Sequence, residues 1–420
     1  MPPGFHWLIA AQFASALADN ALLIVVIGVL EVQGWPGWWA PVLKLGFTAS
    51  YVLLAPFLGP MADAMRKERL MSWMNGVKVV GVLALLWGVH PAIAYAVVGF
   101  GAAAYAPAKY GLVTEVVGCD QLVAANGWIE VTVVCAALCG AVLGGLLVSP
   151  WVLQSSWNET AVSSLYAGGL NSTGLLGGSL LALLGVYALA ALLNIGVPDS
   201  GVRYPAAHRR PLVLMREFWQ ANRTLWRDRD GGLSLAVTTI FWGVGATLQF
   251  AVLRWAAENL GLPLDRAAYM QAAVAVGVVF GASAAGRWIP LSGAKRMLGA
   301  GVVLGLLMPT LALATDVWLA AALLVVVGAV GGVMVVPLNA LLQHRGCSLL
   351  SAGRSVAVQG FNENASVLGM LAIYAGLLAL EVGIVSLLCG FGLVIAAAIT
   401  MLMLRERARD AVGEGQLSPH

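Results

Sequence analysis

The feature that most constrains this chain is a run of apolar residues that recurs from end to end. Each run is about 20 residues long, the length at which an α-helix crosses the hydrocarbon core of a bilayer. The runs fall at 7–31, 41–63, 70–89, 91–113, 121–148, 175–197, 233–256, 267–289, 296–314, 317–341, 352–380 and 383–404. Twelve spans are therefore expected. Composition agrees: 60% of the 420 residues are hydrophobic and 10% are charged, and the mean hydropathy is +0.86. A soluble domain of this size cannot hide so much apolar surface. Alternation with a period of two is absent, which excludes a transmembrane β-barrel. The chain reads as an all-α membrane protein. Its first run lacks a basic start and reads as a retained helix, with no cleaved leader.

The positions of Lys and Arg predict an orientation. One set of connections holds Arg66, Lys67, Arg69, Arg203, Arg209, Arg210, Arg216, Arg223, Arg227, Arg229, Lys295, Arg296, Arg345, Arg405, Arg407 and Arg409. The other set holds Arg266, with Lys44 and Arg254 near helix ends. The first set is assigned to the cytoplasm, which places both termini inside. Trp35, Trp38, Trp39, Trp151, Trp157, Trp255 and Trp318 then fall near the outer interface. The connection 149–174, rich in Ser, Asn and Gly, is read as a long outer loop.

The segment 198–231 is the longest cytoplasmic connection and divides the spans six and six. That is the layout of a two-halved transporter. The predicted organisation is a first six-helix half at 1–197, a cytoplasmic linker at 198–231, a second half at 232–405 and a tail at 406–420. Within the linker, "LVLMREFWQANRTLW" reads either as an amphipathic helix on an anionic leaflet or as a solvated basic connection. A weak repeat supports the two halves. Pro107 precedes "VAANGWIE", and Pro337 precedes "SAGRSVAVQGFNE".

Charges inside apolar helices are the strongest functional clue. A charge at the bilayer centre costs about 2.5–3.5 kcal/mol on insertion scales, so it should face a partner or a cavity. Gln12, Ser15 and Asp19 share one stripe of the first span, with Asn20 beside it. Glu363 lies in the eleventh span with Ser355, Gln359, Asn362 and Ser366 on or near its face. These point to contact with a polar ligand. Glu130 with Asn126, and Lys78 with Asn75, read as structural or coupling residues. Pro107 is expected to break the fourth span. Lys109 beyond it either snorkels to the inner surface or binds phosphate, and Glu115 is placed in a loop. "GPMADAMRKER" (59–69) carries Asp63 ahead of Arg66 and Arg69, the pattern of a major-facilitator gate loop. Asp63 can face a helix N-terminus, and the arginines can pair with acids or lipid phosphates. The matching loop "GRWIPLSGAKRM" (286–297) keeps the bases and lacks the acid.

Other chemistries find no support. None of the five histidines begins an HxxxxD pattern, and no GxSxG elbow occurs, so a membrane-embedded enzyme lacks its base or nucleophile. No metal-ligand cluster, cofactor motif or nucleic-acid feature is read. The five cysteines, Cys119, Cys135, Cys139, Cys347 and Cys389, read as small packing residues. Gly140/Gly144, Gly277/Gly281, Gly301/Gly305 and Gly328/Gly332 read as close helix contacts.

Several stretches together resemble the bacterial lysophospholipid transporter family of the major facilitator superfamily. They are "AQFASALADNALL" (11–23), "GAAAYAPAKYGLVTE" (101–115), "ANGWIE" (125–130), "FWGVGATLQF" (241–250), "VPLNALLQ" (336–343) and "VAVQGFNENA" (356–365). The resemblance implies twelve helices in two pseudo-symmetric six-helix halves. It implies transfer of lysophosphatidylethanolamine and related lysolipids from the outer to the inner leaflet of the bacterial inner membrane. An acyltransferase/acyl-carrier-protein synthetase partner would then restore the missing chain. It implies headgroup roles for Asp19, Asn20, Lys109 and Glu363, with Ser15, Gln359 and Asn362 alongside. Gln249 stands where some relatives have an arginine and joins this set, with Arg254 five residues on; Arg354, where an Asn is expected, joins the gate. A monomer is expected, and coupling to a proton, to sodium or to neither is open. The alternative within the same fold is an exporter of drugs or small amphiphiles.

Overall fold

The computed structural model describes residues 4–36, 39–170, 173–202, 204, 210–262 and 264–416. Trp38, Arg203 and Arg209 lie outside the described residues, as do the side chains of Arg266 and Arg409. Every regular element among the described residues is helical. In order these are α1 (Phe5–Val32), α2 (Trp39–Leu53), α3 (Ala55–Ala64), α4 (Lys67–Leu86), α5 (Pro91–Val116), α6 (Leu122–Leu147), α7 (Pro150–Leu153), α8 (Ser156–Ala167), α9 (Gly177–Ile195), α10 (Pro211–Arg227), α11 (Arg229–Leu260), α12 (Leu264–Trp288), α13 (Leu298–Ala312), α14 (Val317–Leu349), α15 (Ala352–Ala379) and α16 (Ile384–Gln416).

Ten helices among the described residues are long and apolar enough to cross a membrane. The expected second span is instead a bent pair, α2 and α3, meeting at 63°. Pro56 occupies the first turn of α3, where its missing N–H costs nothing and a new helix direction can begin. α15 is 28 residues long, but Arg354, Gln359, Asn362, Glu363 and Asn364 make its first half polar. With the bent pair and α15, the helices follow the twelve-span layout.

Three local expectations are corrected. Pro107 does not break its helix, because α5 runs through it. Losing one backbone bond costs less than ending a helix where lipid cannot satisfy the freed groups. Glu115 consequently sits in the last turn of α5, not in a loop. The segment 149–174 is not a plain loop: it holds α7 and α8, with Ser155 capping α8 by accepting from Asn158 N–H at 3.3 Å.

Packing divides the chain into two compact units. The first holds Met1–Gly118, Thr132–Leu225 and Gly346–Asn364; the second holds Cys119–Val131, Trp226–Arg345 and Ala365–His420. The beginnings of α6 and α15 therefore pack with units other than those of their helix remainders. The first unit has a core built from Leu22, Val25, Leu85, Val98, Leu183 and Tyr187. In the second, one core centres on Trp255, Leu311 and Leu388 and another on Met308, Met334 and Ile399.

Trp255 corrects the aromatic assignment. It is fully buried and donates Nε1–H to the Ala312 carbonyl at 3.1 Å, whereas Trp35, Trp151, Trp157 and Trp318 are exposed. Cys119 and Cys139 are exposed and the other cysteines partly so, which makes them poor packing residues. In the second unit, α12 and α14 approach through reciprocal glycines. A Cβ built on Gly281 would lie 2.0 Å from the Ala329 carbonyl, and one on Gly328 would lie 2.1 Å from that of Val274. No side chain fits between those backbones.

Candidate functional site

The polar stripe of α1 meets α4, α5, α6 and α9 inside the first unit. Period 3.6 puts Gln12, Ser15 and Asp19 on one helix face. Lys78 of α4 reaches Asp19 Oδ2 at 2.6 Å and donates to Ser15 Oγ at 2.9 Å. Its ammonium also lies 5.3 Å from the ring centre of Tyr105 and 5.9 Å from that of Tyr187. Tyr187 of α9 donates its hydroxyl to Asp19 Oδ1 at 2.7 Å. Lys78 is 1% exposed, a burial an ammonium tolerates only with this density of partners. Ser15 in turn donates to Asn75 Oδ1 at 2.8 Å. The Asn75 amide nitrogen is buried and has no acceptor among the described residues.

One turn earlier on α1, Gln12 Oε1 accepts from Lys109 Nζ at 2.8 Å, and Gln12 Nε2 donates to Thr132 Oγ1 at 3.0 Å. Lys109 is buried. Asn20 turns its amide back onto its own helix, donating to the Ala16 carbonyl at 2.8 Å.

A second constellation surrounds the loop between α3 and α4. Asp63 Oδ1 accepts from the Gly353 N–H at 2.9 Å, and Asp63 Oδ2 accepts from the Ser351 hydroxyl. These donors open α15, so the carboxylate caps a helix N-terminus and complements its dipole. Gly59 and Gly353 allow the approach: a Cβ on Gly59 would lie 2.9 Å from Arg354 Cα. Arg66 pairs with Glu68 at 2.5 Å and Asp199 at 3.2 Å, while Arg69 is exposed. Lys67 and Glu115 form a buried ion pair at 2.6 Å. The linker joins in: Ser200 donates to Glu115 Oε2 at 2.6 Å, and the Tyr204 hydroxyl accepts from Ala352 N–H at 3.4 Å. Burial pushes the Tyr204 phenol up, opposed by that N–H.

The first half of α15 also holds the linker helix. Arg354 pairs with Glu217 of α10 at 2.9 Å, and Asn362 donates to Asn222 Oδ1 at 2.9 Å. Phe218 and Phe361 meet edge to face at 5.3 Å. The linker is thus neither wholly solvated nor wholly on lipid, since one face of α10 docks on protein. Glu363 accepts from Gln359 Nε2 one turn before it, at 2.8 Å.

In the second unit, Asn126 and Gln343 exchange both amide bonds, each at 2.9 Å. Nearby, a Cβ on Gly127 would lie 2.8 Å from the Ala282 carbonyl and 3.2 Å from Gly286 Cα. Glu130 is buried. Gln249 is exposed, with its carbonyl accepting from Gln271 at 2.5 Å. Arg254 pairs with Glu258 one turn on. Asp228 caps α11 and takes Arg345 through both oxygens, at 3.2 and 2.6 Å. Burial raises the Asp228 carboxyl, yet Arg345 and the Gly231 N–H hold it below the usual carboxylate range.

Sequence reasoning brought Asp19 to Ser15 but not to Lys78, and it missed Tyr187, Thr132, Gln343, Glu217 and Ser351. Tyr187 is a lone phenol in an apolar span, which is a signal of kind but not of partner.

Comparison with known proteins fits this arrangement. The model of the Major Facilitator Superfamily matches residues 8–362. The lysophospholipid transporter LplT of Yersinia pestis (strain Pestoides F) is 39% identical over 370 residues, covering 88% of this chain and 85% of the relative. That of Yersinia pseudotuberculosis (serotype O:3, strain YPIII) matches to the same extent, 39% over 370 residues. Among solved structures, the human organic anion transporter MFSD10 (TETRAN) superposes with a TM-score of 0.70 at 15% identity, covering 95% of this chain and 100% of its own. The facilitator FucP in its outward conformation gives 0.70 at 16%, covering 96% and 98%. At such identities these two likenesses speak for the fold alone. A bundle of apolar helices carrying buried charges, an Asp63 carboxylate capping a helix start and a match across most of the sequence lead to one placement: the chain belongs to the Major Facilitator Superfamily and, within it, to the family of the lysophospholipid transporter LplT.

Proposed function

We propose that this multi-pass membrane transporter carries lysophospholipids, lysophosphatidylethanolamine among them, from the outer to the inner leaflet of the bacterial inner membrane. It belongs to a transporter family and is not an enzyme. The proposed organisation is two six-helix halves, 1–197 and 232–405, joined by 198–231, with both termini cytoplasmic, working as a monomer by alternating access. The product would pass to an acyltransferase that restores the second chain.

The observation that carries the reading is the Asp19–Lys78 ion pair on α1 and α4, with Lys109 two turns away along α1 through Gln12. A buried pair is costly to open for a solute of one charge, which leaves one member unpaired. A zwitterionic headgroup can enter it with both charges met: ammonium to carboxylate, phosphate to ammonium. The Asn75 amide nitrogen supplies a further donor for a phosphate oxygen. On this reading Asp19, with Ser15 and Asn20 beside it, handles the ammonium, and Lys109 assists at the phosphate. Gln359, Asn362 and Glu363 of α15, and Gln249 of α11, are assigned to substrate binding as well. The Asp63 cap on α15, flanked by Arg66, Arg69 and Arg354, forms in one access state and opens in the other. Lys78 holds Asp19 in this structure and meets the phosphate when the headgroup enters, while Asn126 and Glu130 serve structure or coupling.

Uptake of labelled lysophosphatidylethanolamine into proteoliposomes, with proton and sodium gradients imposed separately, tests this. Saturable uptake that Asp19→Asn abolishes without loss of folded protein is expected. Uptake by that variant at the unaltered rate would remove Asp19 from the mechanism, and failure to move any lysolipid would end the reading.

A further inference from the structure

α10 buries one face and leaves a second apolar stripe largely exposed. Phe218, Ala221, Asn222 and Leu225 are buried, and they turn toward the α15 side that Glu217 and Asn222 contact. The opposite stripe repeats at three and four residues: Leu212, Met215, Arg216, Trp219 and Arg223, continued by Trp226 and Arg227. Leu212 is 81% exposed and Trp219 53% exposed, and Met215 is exposed as well. Arg216, Arg223 and Arg227 are exposed among them. No acidic residue lies on this stripe.

Trp219 meets Phe361 of α15 edge to face at 5.4 Å and leaves about half of its surface outside, and water is a poor neighbour for that surface beside Leu212 and Met215. Chain connectivity narrows the alternatives. α10 ends at Arg227 and the membrane-spanning α11 starts at Arg229, so Asp228 alone separates them. One residue spans about 3.5 Å, which keeps that end of α10 at the bilayer surface. Trp and Arg together on an apolar face are what the headgroup region accepts: rings at the acyl boundary and guanidinium groups among phosphates. The uniformly positive charge selects anionic lipid over zwitterionic lipid.

We propose that the outer face of α10 is a binding surface for anionic phospholipids of the membrane the chain spans. The helix lies between that lipid and the first half of α15, which it holds through Glu217–Arg354 and Asn222–Asn362. The proposal does not depend on which solute is transported.

The test places a photo-cross-linking diazirine residue at position 212 or 215 of the full-length protein. The protein is reconstituted in nanodiscs of phosphatidylethanolamine with a minority of phosphatidylglycerol, and the adducts are read by mass spectrometry. Lipid adducts are expected, with phosphatidylglycerol enriched severalfold over its mole fraction. The triple variant Arg216→Gln, Arg223→Gln, Arg227→Gln should bring that share down to the mole fraction while lipid adducts persist. Its melting temperature, compared with the unsubstituted chain, checks that it is folded. Adducts with water alone would overturn the proposal. So would adducts with a polypeptide in native membranes, or adducts that follow bulk lipid composition before and after the triple substitution.

Discussion

The loop at 59–69 and its counterpart at 286–297 meet equivalent helix starts by different physics. In the first unit Asp63 binds the opening turn of α15 through the Gly353 N–H and the Ser351 hydroxyl. In the second unit the opening turns of α6 meet the end of α12 through backbone: Gly127 lies against Ala282 and Gly286, and Asn126 pairs with a neutral amide. One contact is held by charge and a helix dipole, the other by backbone proximity and a reciprocal amide pair. The same asymmetry runs deeper into the first unit, whose α1, α4 and α9 enclose the Asp19–Lys78 pair. A contact made by charge responds to removal of charge, and one made by close packing responds to added volume.

Four substitutions break or sharpen that contrast. The largest effect is expected from Lys78→Met, which leaves the half-buried Asp19 without its cation and, among the described residues, with the Tyr187 hydroxyl alone, at a cost approaching the ~3–5 kcal/mol of a broken buried pair. A melting curve in detergent would report it, and adding Asp19→Asn should recover part of the loss. An unchanged melting temperature would show that the pair does not hold α1 to α4. Next, Asp63→Asn removes a charged acceptor worth about 1.5–3 kcal/mol. The initial rate of lysolipid uptake should fall by about tenfold or more, and a rate equal to that of the unsubstituted chain would detach the cap from transport.

Gly127→Val tests the uncharged side. Its added volume runs into the α12 backbone at Ala282 and Gly286, and overpacking of this kind costs about 1–3 kcal/mol. Slower uptake with normal membrane insertion is expected; full activity would mean that the contact yields easily. The smallest effect belongs to Asn126→Leu combined with Gln343→Leu. Replacing both members of a buried amide pair is close to neutral, whereas Asn126→Leu alone leaves Gln343 unpaired and costs about 1–3 kcal/mol. If the single and double variants melt together, the reciprocal bonds contribute nothing.

Much of this architecture was legible because a bilayer imposes a length and a polarity on any helix that crosses it. The expected span 91–113 became α5 with its start at Pro91 unchanged. The places where reading along the sequence failed share a cause. Pro107 and Glu115 were judged by local propensity, and the surrounding helices overrode it. Trp255 was placed by composition at an interface, yet Ala312 offered its indole a partner inside. The linker read equally as an amphipathic helix or a solvated basic connection, and its docked face became visible only with Arg354, Phe361 and Asn362 beside it.

The sequence by itself determined that the chain is a bundle of membrane helices and which few residues carry charge within them, because hydropathy and helical period are properties of neighbouring residues. Only the tertiary structure decided which charges meet. Asp19 and Lys78 are 59 positions apart, and Asp63 and Gly353 are 290 apart. No periodicity extends that far. Such pairings arise when packed helices bring a buried charge within reach of a few partners, and burial makes those partners obligatory.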